Sequence, residues 1–127
     1  MSDNGGTIAT GRVGYHVIRS DELAPKSGLT VKFEGEPYEA GVSFFHVNNG
    51  PGEGPGLHRH PYPETWIVRS GRVIFRAGDE EIEAGPGDVV VAEAGKPHGF
   101  RNPGPERLEL VCIHAAGRMV QEWVETE

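Results

Sequence analysis

The chain reads as an all-β protein, a sandwich or barrel of antiparallel strands. Three observations carry that reading. Short apolar runs recur at a spacing of roughly 8–12 residues with turn signals between them. The 127 residues include 19 glycines and 10 prolines, well above the usual ~12%, so few stretches are long enough for a helix. The runs are joined by tight turns and by no crossover helix, which makes neighbouring strands antiparallel. A chain of this length forms one domain and buries roughly two-thirds of its unfolded surface.

Residues 1–12 are polar and glycine-rich and read as a flexible N-terminal tail, leaving 13–127 as the folded domain. Residues 15–19 read as a short strand. Ser20, Asp21 and Glu22 carry helix-start chemistry, but Pro25 and Gly28 stop it within about a turn. Residues 29–33 alternate apolar and polar, the period of a half-buried strand. Residues 42–47 are strand-like and apolar on both faces, and 48–56 form a long turn-rich connection. Segments 66–69 and 72–77, joined by Ser70 and Gly71, read as a hairpin. Further strands follow at 80–84, 89–92 and 98–101, each introduced by glycine or proline, and the last long strand is 108–114. A short element at 120–124 has a pattern that leaves its type open.

Composition excludes several roles. Twelve basic against nineteen acidic residues give a net charge of −7, which argues against a nucleic-acid footprint and a basic membrane-binding patch. No apolar run approaches the ~20 residues that span a bilayer. The first six residues lack the basic and apolar regions of a signal peptide. Cys112 is the only cysteine, so no intrachain disulfide forms, and the expected compartment is the reducing cytoplasm. Glu80, Glu81, Glu83, Glu122, Glu125 and Glu127 read as solvated faces.

The chemistry lies in the histidines. His58 and His60 are two apart, so on a strand both point to one face. Glu64 joins that face if the backbone kinks at Pro61 and Pro63. His98 lies far along the chain, at the start of another strand. Imidazole nitrogen and carboxylate oxygen suit iron, manganese, nickel, cobalt, copper or zinc. An isolated His-x-His is more often a surface pair, but its surroundings complete two spaced patterns. One runs from Gly52 through His58, His60 and Glu64 to Gly71. The other runs from Gly87 through Gly95 and His98 to Asn102. Four such residues at fixed spacing arise by chance on the order of 10⁻⁵ per register, which favours a ligand set over a surface pair.

The two segments, GEGPGLHRHPYPETWIVRSG and GDVVVAEAGKPHGFRN, resemble the two conserved motifs of the cupin superfamily. The likeness covers residues from about 44 to 114 and is that of a small single-domain cupin. It implies an antiparallel double-stranded β-helix, the jelly-roll barrel. It also implies that His58, His60, Glu64 and His98 ligate one divalent transition metal ion. One position departs from the pattern: Glu93 stands where the second motif usually has proline, on a turn and away from the ligands. Four protein ligands on a six-coordinate ion leave two positions open for substrate, water or dioxygen. A structural zinc site would be closed and thiolate-rich, and Cys112 lies outside the motif spacing. It reads as a small buried hydrophobe.

The resemblance implies a metal-dependent, dioxygenase-like enzyme acting on a small oxygenated organic molecule. A non-oxidative isomerase, cyclase or lyase is the first alternative, and a non-catalytic small-ligand-binding module the second. His46, Tyr62 and His114 are the candidate catalytic residues. Phe100, Trp66 and Val68 are the candidate walls of the substrate pocket. Arg101 points away from His98 and reads as a surface charge. Small cupins commonly dimerise, and the segments at 15–19 and 29–33 are expected to pair across a two-fold axis in a homodimer.

Overall fold

The computed structural model describes residues 14–25 and 28–124. The expected tail at 1–12, and Glu125 and Glu127, lie outside the described residues. The described chain forms ten strands in two five-stranded sheets. They are β1 (Val31–Glu34), β2 (Ser43–Asn49), β3 (His58–Arg59), β4 (Glu64–Ser70), β5 (Val73–Ala77), β6 (Glu80–Ala84), β7 (Val89–Ala92), β8 (His98–Arg101), β9 (Leu108–His114) and β10 (Glu122–Trp123). One sheet has the order β1-β2-β9-β4-β7 and the other β10-β3-β8-β5-β6. Every pairing is antiparallel, as in a double-stranded β-helix.

The sheets pack through residues two apart along each strand. Trp66 and Val68 from β4, Leu108, Leu110 and Cys112 from β9, Val73 and Phe75 from β5, and Phe100 from β8 form the core. Each large apolar side chain buried there contributes roughly 1.5–3 kcal/mol. The same alternation carries Glu64 and His114 inward at the ends of β4 and β9, since both strands bury every second residue there. Polar side chains thus ride on the core-facing positions of strands that the apolar core already holds.

Glycine matters at the β4–β5 turn, where Gly71 has φ +82° and a Cβ would stand 2.3 Å from the Arg107 carbonyl oxygen. Only glycine fits both the left-handed backbone and that close approach.

One expectation about the chain needs correction, and one element left open is resolved. Residues 15–19 form no strand: β1 closes its sheet at the edge, and no ladder extends to them. The segment after β9 ends as strand β10, which pairs with β3. Two residues carry too short a pattern to reveal that pairing in advance.

Candidate metal centre

The site is built from two cross-strand pairs, one on each sheet. Glu64 opens β4 opposite His114, the last residue of β9. His58 opens β3 opposite His98, the first residue of β8. His60 follows β3 two residues after His58 and turns to the same interior. All five side chains are buried, with at most 5% of the residue exposed. One ligand atom from each of His58, His60, Glu64 and His98 lies within 4.8 Å of the others. Donors at ~2.0–2.2 Å from one ion stand up to ~4.4 Å apart, so the cluster is close to the size an ion requires.

Backbone carbonyls set the histidine tautomers. Nδ1 of His58 donates to the Gly56 carbonyl at 2.8 Å, that of His60 to Val120 at 2.7 Å, and that of His98 to Lys96 at 3.1 Å. A carbonyl only accepts, so each Nδ1 carries the hydrogen and each neutral ring turns an Nε2 lone pair to the centre. Glu64 Oε1 lies 3.0 Å from Nε2 of both His60 and His98. His60 Nε2 is buried and, although this close, makes no hydrogen bond. A lone pair on nitrogen against a carboxylate oxygen is a contact between two acceptors. A proton relieves one such contact, whereas a shared divalent cation relieves all of them. The residues therefore fit a metal ion on their own hydrogen-bonding chemistry.

The ionisation states agree. Burial lowers His58, to about 4, against the Gly56 hydrogen bond that pulls the other way. Burial would raise Glu64, but its close contacts with His114, His60 and His98 hold its carboxyl well below the usual range. Burial would lower His60, yet its contact with Glu64 and its bond to Val120 raise it above the ordinary imidazole value. In the metal-free protein the contact with Glu64 thus favours a proton on His60, as it would favour a cation.

Behind Glu64 runs a second chain of contacts. His114 Nε2 stands 3.2 Å from Glu64 Oε2, and His114 Nδ1 stands 2.7 Å from the Tyr62 hydroxyl. The Val120 amide donates to that hydroxyl at 3.1 Å. With the Tyr62 O–H donating to Nδ1, Nε2–H donates to Oε2. That leaves Oε1 as the carboxylate oxygen turned to His60 and His98. The segment after β9 closes the site from the other side. Val120 binds both His60 and Tyr62, and the Trp123 ring lies 5.2 Å from that of His58.

A cavity of about 230 Å³ opens onto the cluster. His58, Glu64 and His114 lie at its floor, and Phe45, Val47 and Phe100 form much of its wall. Trp66 and Val68 are not among its lining residues and sit deeper in the core, although the Trp66 ring packs edge-on to that of His98. Tyr62 reaches the site through His114. Arg101 is exposed and paired with Glu81 at 2.9 Å.

His46 is a correction. It lies on the outer face of β2, with its side chain 45% exposed and 3.3 Å from Glu109. Ser43, Phe45 and Val47 take the inward positions of that strand, so parity excludes His46 from the cavity. His46→Ala is expected to leave metal content unchanged and to shift stability by no more than ~1 kcal/mol, read by elemental analysis and thermal melting. Phe45, on the inward parity, is a wall residue that the sequence reading did not name.

Gly99 controls the approach of the glycine-rich loop to β8. A Cβ there would stand 2.8 Å from the Pro55 carbonyl oxygen and 2.9 Å from that of Gly56, the group that orients His58. Gly99→Ala is expected to cost ~1–3 kcal/mol of stability and to weaken metal binding by displacing that carbonyl. Melting curves and metal titration measure the two effects separately.

The family described as Cupin domain matches residues 45–114. No curated protein sequence matches the chain. Among solved structures, a conserved protein with a double-stranded beta-helix domain from Klebsiella pneumoniae is similar at a TM-score of 0.70 and 24% identity, covering 88% of this chain and 99% of that one. The polyketide cyclase RemF from Streptomyces resistomycificus is similar at 0.64 and 20%, covering 82% and 75%. Oxalate decarboxylase from Bacillus subtilis, a protein with Mn(II) centres, is similar at 0.70 and 21%, covering 84% of this chain but 31% of that one. At these identities the likenesses concern the fold.

Proposed function

This chain belongs to the cupin family, and on that premise we propose that it is a metal-dependent, dioxygenase-like enzyme acting on a small oxygenated organic molecule. The observation that carries the reading is the set of inward-facing Nε2 atoms beside Glu64 Oε1, with His60 Nε2 buried and without a hydrogen bond. His58, His60, Glu64 and His98 hold the ion. When bound, the ion supplies Lewis acidity and, if redox-active, a docking point for dioxygen. His114 and Tyr62 keep the Glu64 carboxylate in one orientation, and Phe45, Val47 and Phe100 exclude water from the substrate body.

A non-oxidative cyclase, isomerase or lyase is the second reading. The feature that favours it is His114, which lines the cavity and holds a proton between Tyr62 and Glu64. Elemental analysis of protein purified without added metal, followed by dioxygen uptake, separates the two. Iron with uptake supports oxygenation, and zinc without uptake supports the second reading. Absence of any bound or bindable metal would overturn both.

The reading extends to a cytoplasmic homodimer of domains spanning 13–127. Val89 and Val91 on the edge strand β7 are about 60% exposed, which supports a partner on that sheet. No helix among the described residues is long and apolar enough to cross a membrane.

A further inference from the structure

We infer that the cavity selects a singly charged oxygen chelator on a compact, largely apolar skeleton and discriminates against dianions with the same chelating head. The inference rests on the metal-centre reading above and deepens it by charge and volume.

The charge count comes from the lining. With His58, His60 and His98 neutral, a divalent ion and Glu64 leave one positive charge in a buried pocket. The rest of the wall is neutral: Val47, Phe100 and Cys112 on the apolar side, Thr30, Asn49 and Gln121 on the polar side. Burial pushes the Cys112 thiol well up, so it stays protonated. Among the described lining residues there is no lysine or arginine. On the ligand-bearing strands, Arg59 pairs with Glu122 at 2.7 Å, Arg101 with Glu81 at 2.9 Å, and Arg69 is exposed. A monoanion therefore neutralises the site, whereas a second negative charge on the skeleton would be buried against carbon and amide groups without a partner.

Volume sets the size of the skeleton. A cavity of about 150 Å³ holds benzene, so about 230 Å³ accommodates one ring with its oxygen substituents or a chain of similar bulk. The two neutral amides, Asn49 and Gln121, are suited to hydrogen-bond an uncharged polar substituent.

The test uses the full chain loaded with cobalt(II), whose visible spectrum reports changes in coordination, and two probes that differ only in charge. Kojic acid and comenic acid share one hydroxypyranone chelating head. The first carries a hydroxymethyl group where the second carries a carboxylate. Stoichiometric cobalt binding that is lost in His58→Ala is checked first, and its absence would overturn the metal-centre reading together with this one. With cobalt bound, kojic acid is expected to change the spectrum and bind about tenfold or more tightly than comenic acid. The Gln121→Lys variant, altered at an exposed position, is expected to narrow that gap by adding a cation to the wall. Comenic acid binding as tightly as kojic acid, or a gap unchanged by Gln121→Lys, would overturn the inference while leaving the metal centre standing.

Discussion

Replacing His98 by alanine is expected to abolish metal retention through gel filtration, and His58→Ala and His60→Ala to do the same. Each removes one of three nitrogens whose orientation is set by a separate backbone carbonyl, and none of the carbonyls can substitute as a donor at that point. Loss of a hydrogen bond that only orients a ligand typically costs ~10–100-fold in affinity, and removal of a ligand is expected to exceed that. Glu64→Gln is expected to weaken binding as severely, because it removes the only anionic donor while leaving the His114 contact in place. His16→Ala serves as control, since His16 packs against Tyr38 away from the centre. The variants are expected to stay folded, because Trp66, Leu108, Leu110 and Val73 form a core that does not depend on the ion. Their melting points should no longer rise on adding metal, whereas the unaltered protein gains ~2.7 kcal/mol at a hundredfold excess over Kd. Full metal content in all three histidine variants would show that the ligands lie elsewhere.

Raising the pH from mildly acidic to mildly alkaline is expected to tighten metal binding steeply, with His60 as the controlling group. Its folded pKa is raised, through its contact with Glu64 and its bond to Val120, above the value of 6.5 it has when unfolded. The ion pair with Glu64 stabilises the metal-free fold below pH 6.5, and that contribution is lost as the pH rises through the raised value. Metal binding displaces this proton, so the ion gains its advantage over the same range. His58 behaves oppositely. Its folded value is lowered to about 4, so the stability of keeping it neutral is present above 6.5 and is lost as pH falls through about 4. It competes with metal only in acid, and Glu64 is held lower still. The melting-point rise on adding zinc or manganese should therefore grow with pH across neutrality, with net proton release on binding. A flat profile, or tighter binding in acid, would exclude His60 as the site of competition.

The ligand set was legible in the sequence because it is local: His58, His60 and Glu64 share a short stretch, and parity sends them to one face. His98 was legible only through its second motif, since nothing in composition brings β8 opposite β3. His46 misled because residues 42–47 are apolar on both faces, so the period of two carries no information about which face is the interior. For Trp66 and Val68 parity gave the right face, but not the depth along the barrel, which separates core from cavity. The short strand at 122–123 and the role of Val120 left no mark, because the groups that orient His60 and Tyr62 are a carbonyl and an amide, which every residue type possesses.

The dependence of His60 on Val120, sixty positions away in the chain, has a consequence for biosynthesis. A ribosome presents His58, His60, Glu64 and His98 well before the segment that fixes the His60 tautomer. Until that segment emerges, His60 lacks the carbonyl that orients it, whereas those that orient His58 and His98, on Gly56 and Lys96, are already made. The cluster is therefore completed late, when Val120 docks on a chain whose barrel can already have closed.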